Sequence, residues 1–196
     1  MSNRTLGFAR PPEVREPLIP SGVMGVLLFV LPEVMLFAGL VSAHGITKAS
    51  IRGGIWPPPG QPRLPIELTA VNSVFLLLSG VALFLGGRAL AAKAPTAGRW
   101  LLAAVALGGL FVAIQGFEWV GLVREGLTLS SSTHGSFFYV IIGMHALHAV
   151  VAIGLLAHAL YRHSKGRLEL SQLQALQVFW YFVVGIWPVL YVQVYL

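Results

Sequence analysis

The chain has 196 residues, of which 56% are hydrophobic and only 10% charged, with a formal charge of +6 and no cysteine. Soluble domains carry roughly 25% charged residues, and a chain this short cannot hide so large an apolar excess in a core, so a soluble fold is excluded and the bilayer is the solvent that fits. The absence of cysteine removes disulfides, thiolate metal sites and cysteine nucleophiles. The Lys and Arg residues sit in short segments between apolar runs, where membrane topology explains them without a nucleic-acid partner.

A spanning helix needs roughly 20 mostly apolar residues. Five stretches meet this, over about 18–44, 68–92, 100–123, 137–161 and 173–196, and they predict an all-α integral membrane bundle forming one domain, 1–196. The first run follows Arg4, Arg10 and Arg15 but extends from Leu18 to Ala43, longer than the roughly 7–15 residues of a signal-peptide core, so it is read as a retained membrane helix. Between the first two spans, Ile46 to Pro65 contains Trp56-Pro57-Pro58-Pro59-Gly60-Gln61-Pro62, which lacks the donors a helix needs and is expected to be extended and outside the hydrocarbon. Gly86-Gly87-Arg88 together with Lys93-Ala94-Pro95-Thr96 marks a tight second connection. Arg124-Glu125-Gly126 and Ser130 to Thr133 mark the third, and Arg162 to Ser171 the fourth. The runs do not alternate as barrel strands would, and no internal repeat points to an inverted-repeat transporter.

Counting Lys and Arg orients the bundle. The N-terminal tail and the second and fourth connections carry Arg4, Arg10, Arg15, Arg88, Lys93, Arg99, Arg162, Lys165 and Arg167, against Lys48, Arg52, Arg63 and Arg124 on the other side. The positive-inside rule then puts the N-terminus in the cytoplasm, the C-terminus in the periplasm, and the multi-pass chain in the inner (plasma) membrane.

Ionisable groups within a bilayer are costly, so each is a candidate for function. Glu33 lies mid-span just after Pro32, whose missing N–H frees the Leu28 carbonyl and predicts a kink. It reads either as a proton-handling carboxylate or as a hydrogen-bonding tie to another helix. Glu118 lies nearer the outer end of its helix, where snorkelling is the simpler reading, with Gln115 three residues back as a hydrogen-bond partner. Asn72 and Ser79 are expected to bond across helices, and the pairs Gly39/Ala43, Ala104/Gly108 and Gly109/Ala113 to admit close helix approach. His145 and His148 share one face of the fourth span. That pair raises a haem-binding membrane anchor as an alternative, but a bis-histidine haem needs ligands from facing helices, and His44, His134 and His158 lie near helix ends. Hydrogen bonding to helices or headgroups is the simpler reading. No residue pattern assembles a catalytic centre.

The ordered motifs resemble subunit III of the haem-copper oxidases, the cytochrome c oxidase subunit III family, from about Gly25 to Leu196. Leu28-Phe29-Val30-Leu31-Pro32-Glu33, followed by Phe37-Ala38-Gly39, is similar to the family's Phe-Ile-x-Ser-Glu run and its glycine, with Pro32 where Ser is usual. Gly54-Ile55-Trp56-Pro57-Pro58 resembles Gly-x-Trp-Pro-Pro, and Asn72 through Leu78-Ser79-Gly80 resembles the next helix. Gln115-Gly116-Phe117-Glu118-Trp119 resembles Gln-x-x-Glu-Tyr. His134-Gly135-Ser136-Phe137-Phe138, leading into Gly143-Met144-His145-Ala146-Leu147-His148, resembles Gly-Ser-x-Phe-Phe with Gly-Phe-His-Gly-Leu-His, and Arg162 matches the basic residue ending that span. Trp180-Tyr181-Phe182-Val183, with Trp187, Leu190 and Tyr191, resembles the last helix, but Tyr181 replaces a common His, Val184 replaces Asp, and Pro188 is expected to interrupt the helix.

The resemblance implies a five-helix form of a subunit that is not itself an enzyme. It implies no haem, copper or other metal in this chain, these being carried by subunits I and II of an oxidase that reduces oxygen in aerobic respiration. It further implies packing beside subunit I, structural phospholipids, and support of proton uptake. A related accessory subunit of nitric oxide reductases shares the motifs. By this analogy Glu33, Glu118, Gln115, His145 and His148 are the functional intramembrane polar residues, and His148 with Arg162 a lipid-headgroup site.

Overall fold

The computed structural model describes residues 19–50, 62 and 64–196. The N-terminal tail with Arg4, Arg10, Arg15 and Leu18, the Pro-rich run with its Gly54–Pro58 motif, and Arg52 and Arg63 lie outside the described residues. Among the described residues the architecture is all-α: α1 (Ser21–Ser50), α2 (Ile66–Ala91), α3 (Ala97–Arg124), α4 (Thr133–Ser164) and α5 (Leu170–Tyr195). All five are long and apolar enough to cross a membrane.

The helix ends follow from local chemistry. Ser132 caps α4 by accepting from the Gly135 backbone N–H at 3.0 Å, and Glu169 with Gln172 forms a capping box at the start of α5. α3 and α4 end in the same hydrogen-bond pattern, Leu127 N–H to Leu122 O with Gly126 N–H to Val123 O, and Arg167 N–H to Arg162 O with Gly166 N–H to His163 O. The residue past each cap has φ of +92° at Gly126 and +66° at Gly166, values that glycine adopts without steric cost. α2 ends in this pattern too, but there Lys93 takes the left-handed position at φ +51°, against the usual glycine preference.

Three expected boundaries shift. The first connection does not begin at Ile46, because α1 continues to Ser50. The hydroxyls of Thr47 and Ser50 donate back to the carbonyls of Ala43 at 2.8 Å and Thr47 at 3.0 Å, giving polar side chains partners within the helix. Gly86-Gly87-Arg88 is helix rather than connection, because both glycines are packing points: a Cβ on Gly86 would meet Leu101 and Trp100, and one on Gly87 would strike the Gln177 amide. Pro188 does not interrupt α5, and Pro32 lies within a continuous α1.

The helices pack as a ring, α2–α3–α4–α1–α5 and back to α2, with α4 also touching α5. The backbones of α3 and α5 stand apart, and buried aromatic side chains fill the space between them. Phe111 on α3 meets Trp187 on α5 at 5.0 Å edge-on, and Trp180 is fully buried against Gly108. A second cluster of Phe37, Phe179 and Phe182 joins α1, α4 and α5. α1 is peripheral, with Phe37 and His44 its only buried residues and Leu28, Leu31 and Met35 turned outward. In lipid such outward apolar faces cost nothing, and helix association rests on packing and interhelical hydrogen bonds.

The ends of the bundle differ in charge. Contacts between Gly86 and Trp100, Gly98 and His163, and Gly22 and Ala175 gather the start of α1 and the second and fourth connections at one end. Of the described Lys and Arg residues, Arg88, Lys93, Arg99, Arg162, Lys165 and Arg167 lie at that end, against Lys48 and Arg124 at the other.

Candidate functional site

The first polar centre joins α1 to α4. His148 Nε2 lies 3.0 Å from Glu33 Oε2, and its Nδ1 lies 2.7 Å from the Met144 carbonyl, four residues back on the same helix. A carbonyl only accepts, so Nδ1 carries a proton, and one further proton lies between Nε2 and the carboxyl oxygen. Whether written as neutral imidazole with carboxylic acid or imidazolium with carboxylate, the pair has no net charge, which relieves the cost of placing ionisable groups at this depth. Phe37, Phe179 and Phe182 pack edge-on around the imidazole with centroids 5.6–6.2 Å away, so the ring is held and the pair screened. This contact ties the peripheral α1 to the bundle.

The second centre joins α2, α3 and α5. Glu118 Oε2 accepts from Gln115 Nε2 at 2.8 Å and from the Thr69 hydroxyl at 2.9 Å. The Thr69 hydroxyl also reaches the Pro65 carbonyl at 2.8 Å, so one proton serves two acceptors. Gln115 Nε2 uses its second donor on the Tyr195 hydroxyl at 3.2 Å. The snorkelling expected of Glu118 does not occur: the residue is 8% exposed, because Thr69 and Gln115 give the carboxyl partners inside the bundle.

His145 lies between the two centres. It is 1% exposed and tilted 30° against Trp187 at 4.8 Å, with Phe111 and Phe37 edge-on. It does not join the Glu33–His148 contact, although both histidines touch Phe37. Arg162, in the last turn of α4, donates to the Arg167 carbonyl at 2.9 Å. It lies fourteen residues from His148, about 21 Å along the helix, so the two meet no common partner directly. Among the described residues no three His, Asp or Glu side chains form a metal-holding group.

The expected cross-helix bonds form, from Asn72 Nδ2 to the Phe111 carbonyl at 3.0 Å and from the Ser79 hydroxyl to the Ala104 carbonyl at 2.8 Å. Of the small-residue pairs only Ala104/Gly108 faces a neighbour; no atom lies within 4 Å of a Cβ built on Gly39 or Gly109. Val184 packs on Gly80, and Tyr181 accepts from Gln177 Nε2 at 3.3 Å. Sequence reasoning missed Thr69, Ser73, Gln177 and Tyr195. Ser73 accepts from Trp187 Nε1 at 2.8 Å, and Gln177 Nε2 reaches the Leu83 carbonyl at 3.1 Å. A signal existed in the polar stripe Thr69, Asn72, Ser73 and Ser79, which recurs at helical spacing on one face of α2.

Similarity to known proteins accords with this arrangement. The chain is 32% identical over 177 residues to a Nocardia farcinica protein named probable cytochrome c oxidase subunit 3, covering 88% of this chain and 86% of that one. It is 33% identical over 180 residues to cytochrome c oxidase subunit 3 of Synechocystis, covering 89% and 75%. It is 30% identical over 199 residues to the probable cytochrome c oxidase subunit 3 of Mycobacterium leprae, covering 97% and 96%. The pattern of the family described as cytochrome c oxidase subunit III matches residues 16–196. The family match over residues 16–196 and these relatives together show that this chain belongs to the cytochrome c oxidase subunit III family.

Proposed function

We propose that this chain is the non-catalytic subunit III of a haem-copper terminal oxidase, which reduces oxygen in aerobic respiration and translocates protons. In this reading haem and copper reside in subunits I and II. This chain packs beside subunit I in the inner (plasma) membrane, stabilises it, holds structural phospholipid and supports proton uptake. Its N-terminus is cytoplasmic, a reading supported by the concentration of Arg88, Lys93, Arg99, Arg162, Lys165 and Arg167 at one end.

The observation that carries the proposal is the Glu33–His148 contact, which links two family motifs across helices at 3.0 Å within a family-matched chain. The same contact weighs against a haem anchor, since both nitrogens of His148 already have protein partners. The printed names of the relatives favour an oxidase over a nitric oxide reductase. The test is purification through a tag on this chain from native membranes in mild detergent. A haem-bearing partner is expected in near-equal amount, together with oxygen consumption. Recovery of the chain alone from several mild detergents, colourless or with its own haem, sinks the assignment.

The lipid role rests on Arg162. Its bond to the Arg167 carbonyl fixes the guanidinium at the charged end of the bundle and leaves its other donors for a headgroup. The distance of about 21 Å from Arg162 to His148 is near the length of one phospholipid, about half of a 40–45 Å bilayer. Arg162→Ala is expected to lower the phospholipid retained per purified complex. Unchanged lipid content by mass spectrometry removes Arg162 from that role.

A further inference from the structure

Tyr181 carries a hydrogen-bond donor on the outer surface of the bundle. It is 37% exposed and lines a shallow groove between α2 and α5. Its hydroxyl oxygen lies 3.3 Å from Gln177 Nε2. The other contact of that amide fixes its orientation: Nε2 lies 3.1 Å from the Leu83 carbonyl, and only a nitrogen can face a carbonyl oxygen. The nitrogen therefore faces Tyr181 as well, and the phenol accepts. Its own proton points elsewhere and meets no acceptor among the described residues.

Depth decides what can answer that donor. The hydroxyl is level with Leu83, eight residues and about 12 Å from the nearer end of α2. α2 has 26 residues, about 39 Å, and overhangs a hydrocarbon core of about 30 Å by about 4–5 Å at each end. The hydroxyl thus lies about 7 Å inside the hydrocarbon. No water competes there, and a phospholipid presents only its acyl chains, its oxygens being held at the interface. An acyl chain fills an apolar groove but accepts no hydrogen bond. A neighbouring transmembrane helix does both.

The groove also has the spacing of a helix seat. Val74, Leu77, Val81 and Phe84 are exposed along α2 at steps of three, four and three residues, the repeat of a left-handed helix seam. They run over about 15 Å. On α5, Gly185 lies four residues from Tyr181, and no atom lies within 4 Å of a Cβ built there. A partner's backbone can therefore come close beside the hydroxyl.

We propose that the α2–α5 groove seats a transmembrane helix of the haem-bearing subunit, and that this helix presents a side-chain acceptor to the Tyr181 hydroxyl. The proposal rests on the oxidase reading and adds to it which face docks and through which atom.

The test places the photo-crosslinking residue p-benzoylphenylalanine at position 81 of the tagged chain in native membranes. Position 147 is the control, because Leu147 is equally exposed but on α4. Crosslinks to the haem-bearing subunit are expected from 81 and not from 147. Gly185→Leu fills the seat without touching this chain's own packing. It is expected to leave the amount of inserted chain unchanged and to cut the haem-bearing subunit retained through a mild-detergent wash about tenfold. Tyr181→Phe removes the donor alone and is expected to cut it about threefold, the size of one interhelical hydrogen bond in a bilayer. If the haem-bearing subunit co-purifies but crosslinks no more strongly from 81 than from 147, the proposal is overturned and the oxidase reading stands. Unchanged retention in Gly185→Leu or in Tyr181→Phe has the same consequence, as do crosslinks from 81 only to lipid, to a second copy of this chain or to a haem-free protein. If no haem-bearing subunit co-purifies with the unsubstituted chain, both readings fall together.

Discussion

Gly108→Val is expected to abolish the folded chain, while Gly109→Ala leaves it intact. A Cβ on Gly108 would stand 2.9 Å from Cη2 and Cζ2 of Trp180 and 3.3 Å from the Ser79 hydroxyl. Neither neighbour has room to yield. Trp180 is completely buried and occupies the space where the backbones of α3 and α5 stand apart, and the Ser79 hydroxyl is engaged with the Ala104 carbonyl at 2.8 Å. Over-packing of this kind costs about 1–3 kcal/mol for one added methyl, and valine adds two more carbons in the same gap. Because lipid tails solvate apolar side chains as well as the protein does, close packing supplies the association energy that burial supplies in water. The check is the unfolding midpoint in a detergent titration, together with the amount of chain inserted in membranes. A wild-type midpoint for Gly108→Val would show that the indole has an alternative seat. Gly109 is the internal control, with no atom within 4 Å of its Cβ.

The second large effect belongs to Glu118. Glu118→Ala removes the acceptor shared by Gln115 and Thr69; the Thr69 hydroxyl keeps the Pro65 carbonyl, but one N–H of the Gln115 amide is left without an acceptor inside the bundle. Stranding a buried donor costs about 1–3 kcal/mol, and the cavity left by the side chain adds to that. The expected loss is about 2–4 kcal/mol by these terms together. Glu118→Gln retains a side-chain carbonyl oxygen and should recover most of it. Tyr195 joins the cluster through the same Gln115 amide, so Glu118→Ala should also loosen the end of α5. Amide exchange in the last turns of α5, compared with the midpoints of both variants, reads this out. An alanine variant within about 0.5 kcal/mol of wild type, the range of ordinary surface substitutions, would mean that water replaces the carboxyl at little cost.

These two sites show how differently information is distributed along the chain. Glycine pairs at four-residue spacing look alike in sequence at Gly39, Gly108 and Gly109, yet only Gly108 meets another helix. Spacing places a residue on a face; which neighbour that face meets depends on the order of the helices around the ring. Likewise Glu118 near a helix end reads as a snorkelling carboxylate until Thr69, 49 residues away in sequence, proves to be its partner. The Gln115–Glu118 bond was legible because both residues lie on one helix three positions apart. The Glu33–His148 bond spans 115 residues and was not. Both residues stood out individually as costly groups in an apolar run, but nothing local pairs them.

The sequence by itself determined the five membrane-length helices seen among the described residues and the places of the third and fourth connections. Helix length, capping residues such as Ser132 and Glu169, and the glycines at 126 and 166 act within a few residues of where they stand. It also determined the family, because the motifs lie in order along the chain whatever their spatial arrangement. Only the tertiary structure decided that Glu33 meets His148, that Tyr195 closes onto Glu118 through Gln115, and that Trp180 and Trp187 fill the space between α3 and α5. It also decided that His145, three residues from His148 in sequence, packs against Trp187 instead of Glu33. The physical reason is that a helix satisfies its own backbone but not its side chains. Each buried polar or aromatic group must find its partner on another helix, and that choice is made by packing geometry over distances that local sequence does not encode.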